Sequence, residues 1–433
     1  MFIWYESGRN NKGYMGNSKL SSVFSVMLIT LMINYTSQVK CKEKLKYQLN
    51  ERGISEQSLN NYLKRAVTMS EFLTVDPHNN DGQQSNKEDD IRLIKNIGAK
   101  FIGRAIYRWG DELSFKHPEF LGEATALIKR VHSNDPDVIF QAALFEAVTE
   151  EVNQLEVPKW VFLALNRQPE RRTFVYKSML NLGGEFVNQW GKGISVPDIT
   201  RSESQLWLMY LAGTYLSIGC ESLHLGQTTL MGMEDKDLIH WSAFISSVRR
   251  YAKTHARRQW VLLDSHATDG GMIVNGKSLL DFNSFPLRIK EDVKTPKHAV
   301  LKKGYMDAYY GRSKGCITPS GWICKSMPYL LEFDNYGVSL KPGTSGIDYF
   351  VWGYDEITWF YIQNEEYRKA WLVYAYKWIK KNDPNGHLQM PVTRIITLGE
   401  GIPIFKNFGN NRSDSCPKGM NLEKTIKQIW RKE

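Results

Sequence analysis

The sequence predicts an α/β protein: eight parallel strands closed into a (β/α)8 barrel, with an N-terminal helical extension and a C-terminal helix. Three observations predict it. From about residue 91 to 397, short apolar runs alternate with amphipathic stretches at helical spacing. The runs number eight, and the stretches between them supply the long crossovers that parallel neighbours need. Several runs end in polar side chains of one parity, which leave the same face of an extended strand.

Taken in order, residues 1–40 contain an apolar run, 23–33, that follows Lys19 and is too short to span a bilayer comfortably. It reads as the core of a signal peptide cut near residues 37–40, so export is expected, with an uncleaved N-terminal anchor as the alternative. Val39 and Lys40 before Cys41 match a lipidation site poorly. Residues 41–90 read as the helical extension and a linker. Leu59, Tyr62, Leu63, Ala66 and Met69 form a stripe that predicts helix across 42–74, and 75–90 is a polar loop.

The barrel is expected over 91–397. Its first strand is 101–106, followed by a helix at 118–131. The second strand is 138–144, followed by a long insertion through 193. A helix at 203–218 leads to the third strand, 222–227, and one at 236–256 leads to the fourth, 260–266. The fifth, 282–289, is interrupted by Pro286. A loop rich in Tyr, Gly and Lys precedes the sixth, 329–334. The seventh is 349–354, then a helix at 364–381 and the eighth strand at 387–396. Residues 398–433 predict a loop and a helix, 422–430, packed on the barrel. A doubly wound open sheet is the competing architecture.

The formal charge is +10, of which residues 1–40 contribute +3 through Arg9, Lys12, Lys19 and Lys40 against Glu6. The basic clusters (Arg249-Arg250, Arg257-Arg258, Lys377-Trp-Ile-Lys-Lys381) fall on or beside amphipathic helices, where solvated faces account for them, so no nucleic-acid partner is expected. No membrane partner is expected beyond the N-terminal segment. The five cysteines, Cys41, Cys220, Cys316, Cys324 and Cys416, show no zinc spacing. Cys316 and Cys324 bracket a short loop and could form a disulfide in an exported protein, or remain thiols.

The strand ends carry the chemistry. Arg104 and Arg108, Gln141, His224, Asp264 and His266, Glu332 and Asp334, and Arg394 belong to same-parity sets. Burying an ion without a partner is expensive, so these groups must pair or meet a polar ligand. No HxH or HExxH motif predicts a metal, and no dinucleotide fingerprint, P-loop or GxSxG elbow predicts a cofactor or an elbow nucleophile. Carboxylates, arginines, amides and aromatic rings remain. That set suits glycoside hydrolysis, in which one carboxyl donates a proton and another attacks or activates water. Trp109, Trp322, Trp352, Tyr354 and Trp359 could stack on sugar faces.

In architecture and in the placing of its acids, the stretch 95–397 resembles the TIM-barrel glycoside hydrolase superfamily. The resemblance implies cleavage of an oligosaccharide or glycoconjugate by two carboxylates at the C-terminal face of the barrel. Asp264 matches the strand-four position, Asp334 or Glu332 the strand-six position, and Glu356 the strand-seven position. Asp264 would then be nucleophile or base, and Asp334 or Glu332 the acid. The commoner pattern carries Asn-Glu on strand four, where this chain has Asp264-Ser-His266. Arg104, Arg108, Trp109, Gln141, Glu146, His224, Gln227, His266, Asn335, Trp352, Tyr354 and Arg394 would bind substrate.

Simpler roles compete with these. Asp264 and His266 could only bond each other and Arg288, and the strand-six acids could pair with Arg104 or Arg394 in a structural layer. Arg104 and Arg108 suit carboxylates better than neutral sugars, which leaves an acidic sugar open. Two further functions fit the same residues: a non-catalytic carbohydrate-binding protein on a degenerate barrel, and a barrel lyase or phosphosugar enzyme.

Overall fold

A computed structural model describes residues 46–75, 86–305, 308–335, 353–396 and 405–431. The chain divides into two compact units, residues 1–48 and 49–433, and the second carries every element below. It is a mixed α/β unit built on parallel strands. The strands are β1 (Ala66–Met69), β2 (Phe101–Ile106), β3 (Ile139–Ala143), β4 (Ser222–His224), β5 (Leu262–Asp264), β6 (Asn283–Pro286), β7 (Tyr329–Glu332), β8 (Gly386–Leu388) and β9 (Met390–Thr393). All nine are buried throughout, as parallel strands covered on both faces must be.

The ladders form two parallel sheets. One runs β9-β1-β2-β3-β4-β5, the other β6-β7-β8. A single parallel bridge, His266 to Ser284, links the segment after β5 to β6. At the other edges, β8 pairs with β7 and β9 pairs with β1, and only Gln389 separates β8 from β9.

Helices pack between the strands where the sequence supplies start and stop signals. α1 (Glu56–Leu63) begins at Ser55, whose hydroxyl accepts from the Ser58 N–H. α2 (Lys87–Ile97) begins at Asn86, whose side chain accepts from the N–H groups of Glu88 and Asp89. It ends at Gly98, with φ at 73°, a left-handed cap that glycine adopts without a Cβ clash. α3 (Pro118–Asn134) opens on proline, α4 (Ser202–Ile218) is buried nearly all round, and α5 (Ile239–His255) follows β4. α6 (Glu356–Ile362) is capped by Asp355, which accepts from the Thr358 N–H. α7 (Glu365–Asn382) and α8 (Glu423–Arg431) complete the layer, with α8 in the predicted C-terminal position. Between β5 and β7 small hairpins replace long helices, among them the pair of Cys316–Ile317 with Ile323–Cys324.

Two expectations change. The predicted helix over 42–74 contains the short antiparallel pair Leu49–Asn50 and Gly53–Ile54, then α1, then a full parallel strand, β1. The stripe continues past Leu63 into Ala66 and Met69 because both are core residues of that strand. The strand numbering therefore moves up by one: Asp264 ends the fifth strand and Glu332 the seventh. The predicted seventh strand, 349–354, lies outside the described residues except for Gly353 and Tyr354, neither of which is in a strand.

Candidate functional site

The C-terminal ends of the parallel strands open on one cavity of about 300 Å³. Every strand but β8 supplies part of its wall: Ser70 after β1, Arg104 and Tyr107 on and after β2, Phe145 and Glu146 after β3, His224 and Gln227 at and after β4. His266 follows β5, Phe285 and Arg288 belong to or follow β6, Asp334 and Asn335 follow β7, and Arg394 follows β9. Trp109, which is 41% exposed, meets Trp190 edge-on with ring centres 5.5 Å apart.

Glu332 is the hub beneath the cavity. Its carboxylate accepts from Arg104 through both oxygens, with Arg104 Nε at 2.9 Å from Oε2 and Nη2 on Oε1. His266 Nε2 lies 2.7 Å from Oε1 and Arg394 Nη1 3.8 Å from Oε2. Burial alone would raise the Glu332 pKa, but Arg104, His266 and Arg394 outweigh it and hold the group well below the usual glutamate value. Arg104 takes up this position from a left-handed backbone conformation, φ 54°, where the β2–β3 register shifts. Its N–H donates to Gln141 Oε1 at 3.1 Å, and its guanidinium lies over the Phe145 ring.

Asp264 lies one layer deeper. It is fully buried and accepts from Gln141 Nε2 at 2.7 Å and from the Ser284 hydroxyl, while His224 Nδ1 lies 2.8 Å away. Neutral His224 therefore carries its proton on Nδ1, and burial keeps the imidazole below its usual pKa. His224 Nε2 is buried with no hydrogen-bond partner among the described residues.

On the far side, Arg288 Nη1 donates to Glu356 Oε1 at 3.0 Å and to Asp334 Oδ2 at 3.4 Å. The two acids respond oppositely. Burial pushes Glu356 up to about 7, with Asp334 adding to the shift and Arg288 opposing it. Burial also pushes on Asp334, yet Arg288 and His266 outweigh it and lower its pKa. Glu146, at the opposite wall, accepts from the Gln227 N–H and side-chain amide, both at 3.0 Å.

Of the four acids expected to be catalytic, Asp334 lines the cavity, whereas Asp264, Glu332 and Glu356 are buried behind its wall. Among the expected binding residues, Arg104, Trp109, Glu146, His224, Gln227, His266, Asn335 and Arg394 line it. Gln141 does not; it buttresses Asp264. Arg108 does not either, because its parity partner Arg104 sits on an irregular turn of strand; Arg108 bonds Ser114 and pairs with Glu71 and Asp111. Tyr354 is half-buried off the cavity, and Trp352 lies outside the described residues. Trp359 is core, and Trp322 donates to the Ile54 carbonyl, so neither offers a sugar platform here. The sequence reading missed Tyr107, Phe145, Trp190 and Tyr309 as wall residues. Phe145 and Tyr107 follow strand ends, and that position was their signal.

His224, His266 and Glu332 bring one ligand atom each within 4.8 Å of one another. Glu332 already holds Arg104 and His266, so a divalent cation there would displace one of them and face two guanidinium groups. The donor set fits a metal poorly.

No family model matches this chain, and no curated protein does either. Among solved structures, the matches include a debranching enzyme and an α-galactosidase. The debranching enzyme of Nostoc punctiforme, in its acarbose-soaked form, matches at 11% identity and a TM-score of 0.41, over 86% of this chain and 81% of that one. Its native form matches at 12% and 0.32 over 52% of each chain, so that match spans about half of the enzyme's length. An α-galactosidase from Thermus thermophilus, in complex with p-nitrophenyl α-D-galactopyranoside, matches at 12% and 0.30 over 51% of this chain and 41% of that one. These values are too low for the neighbours' activities to transfer to this chain.

Proposed function

We propose that this chain is a glycoside hydrolase acting on an oligosaccharide or glycoconjugate from the cavity at the strand ends. Its scaffold is a closed (β/α)8 barrel. The His266–Ser284 bridge joining β5 to β6, and the one-residue gap between β8 and β9, support closure. Export through the apolar segment 23–33 remains part of this reading.

The observation that carries it is the Asp334–Arg288–Glu356 constellation. Two neighbouring carboxyls pushed apart in pKa divide into an ionised group and a protonated one. Asp334, on the cavity wall and held ionised, is the nucleophile. Glu356 behind it, at about 7, is the proton donor in this reading, brought within hydrogen-bond reach of the leaving oxygen when substrate binds. Their nearest oxygens share one nitrogen at 3.0 and 3.4 Å, so their separation cannot exceed the sum of those distances. That limit falls below the roughly 6.5–9.5 Å of inverting enzymes and spans the roughly 5–5.5 Å of retaining ones. Retention of anomeric configuration is the outcome this reading predicts. Trp109, Tyr107 and Phe145 supply flat faces for a sugar ring, and His224, Gln227 and Asn335 its hydroxyl partners.

A pH–rate profile on a panel of aryl glycosides tests the assignment. Activity should fall as pH rises through about 7, where Glu356 loses its proton. Glu356→Gln should cost about 10²–10⁴-fold in turnover and remove that limb. A flat profile across pH 6–9, or full activity in E356Q, contradicts it.

One observation favours a second reading, a carbohydrate-binding protein without catalysis: three of the four expected acids are buried behind the wall. It predicts glycan binding with no turnover on any glycoside.

A further inference from the structure

Three arginines line the cavity, and their bonding differs. Arg104 is held by both oxygens of Glu332. Arg288 lies between Asp334 and Glu356. Arg394 is 2% exposed, yet among the described residues its guanidinium makes one hydrogen bond, Nη2 to Asn335 Oδ1 at 3.1 Å. Its Nη1 stands 3.8 Å from Glu332 Oε2, beyond hydrogen-bond reach, and its Nε is buried with no partner among the described residues. A guanidinium has five N–H donors, and a buried one is costly unless they are satisfied.

The ion pairing agrees. Arg104 answers Glu332, and Arg288 answers Asp334. Glu356 is already bonded to Arg288. Arg394 is left without a carboxylate at hydrogen-bond distance among the described residues. Glu146, the other wall carboxylate, is engaged with Gln227 at the β3–β4 side.

The geometry points to an anionic subsite at Arg394, with Asn335 beside it, that takes the carboxylate of a uronic acid; the substrate class is an acidic glycan. This rests on the carbohydrate reading above and narrows it. A planar guanidinium matches a carboxylate fork.

Calorimetry on the full chain tests it with glucuronic acid, galacturonic acid, glucose, galactose, glucose 6-phosphate and sodium sulfate as probes. At least one uronic acid should bind about 10- to 150-fold tighter than its neutral counterpart, the range of a charge-assisted hydrogen bond. Arg394→Gln should abolish that preference, and Arg394→Lys should keep only part of it. Thermal unfolding of both variants shows whether the fold is intact. Should R394Q fail to fold, R394K carries the test. Equal binding of acid and neutral sugars, no binding of either acid, or a preference unchanged in the variants overturns the inference. So does sulfate or the phosphosugar binding as tightly as the uronic acid. Uronic acid binding without hydrolysis of any glycoside upholds this inference and defeats the hydrolase reading; turnover of neutral and acidic glycosides at equal efficiency does the reverse.

Discussion

Removing the charge of Glu332 should destabilise the protein more than any exposed substitution. The side chain is 2% exposed, and Glu332→Gln keeps its shape while replacing one acceptor oxygen with an NH₂ group that faces N–H donors of Arg104 or His266. Breaking one partner out of a buried pair costs about 3–5 kcal/mol, against a total stability of roughly 5–15 kcal/mol. An unfolding entropy of about 2.1 cal/mol/K per residue over a unit of this size turns that into a Tm loss of about 4–6 °C. The pH dependence has a defined sign. Glu332 titrates well below 4.5 when folded, so its contribution is complete above about 4.5 and fades as pH falls toward the depressed folded-state value. The gap between wild type and E332Q in urea denaturation should therefore be full at pH 7 and shrink in acid. An apolar double variant, R104M/E332L, should recover part of the loss, since it removes the bidentate Arg104 guanidinium together with the carboxylate it pairs. A gap below about 1 kcal/mol, the scale of an exposed ion pair, refutes the hub. So does one that does not change with pH.

Two further outcomes follow from the same geometry. Asp264→Asn should leave the fold intact but release the His224 tautomer, because an amide can present either a donor or an acceptor to Nδ1. Nitrogen-15 NMR of the ring should show mixed tautomers, and an unchanged Nδ1–H form would contradict the dyad. Cys316 and Cys324 are free, directly opposed across their hairpin, with Sγ atoms 3.8 Å apart. Exchange with oxidised glutathione should close the bond, which intact mass reads as a loss of two hydrogens, and raise stability by roughly 2–3 kcal/mol for so short a loop. Mixed glutathione adducts without closure would show that the hairpin cannot reach disulfide geometry.

Much of the scaffold was legible because parallel strands are apolar along their whole length and the polar residues at their ends break that run. Even the segment around Pro286 folds as strand, since β6 needs no N–H from that position to complete its pairing with β7. β1 was hidden because Ala66 and Met69 extend the helical stripe of Leu59, Tyr62 and Leu63; periodicity alone cannot separate four buried strand residues from another helical turn. Within the site, parity correctly brought Glu332, Asp334, Asp264 and His266 to one end of the strands. It could not say how deep each sits. Asp264 and His266 are two residues apart, about 6–7 Å along a strand, which is enough to bury one and set the other on the cavity wall. Arg108 was misplaced for a different reason: the left-handed turn at Arg104 breaks the alternation that parity assumes. Arg288 seemed only a structural partner, because its meeting with Glu356 spans two separate crossovers.

The reacting carboxylate can be identified directly. A retaining enzyme treated with activated 2-deoxy-2-fluoro glycosides accumulates a glycosyl ester on its nucleophile, and peptide mapping by mass spectrometry reads the modified residue. The account predicts a label on Asp334, lost in Asp334→Asn. A label on Glu146 or any other carboxylate contradicts it, as does hydrolysis that inverts the anomeric centre.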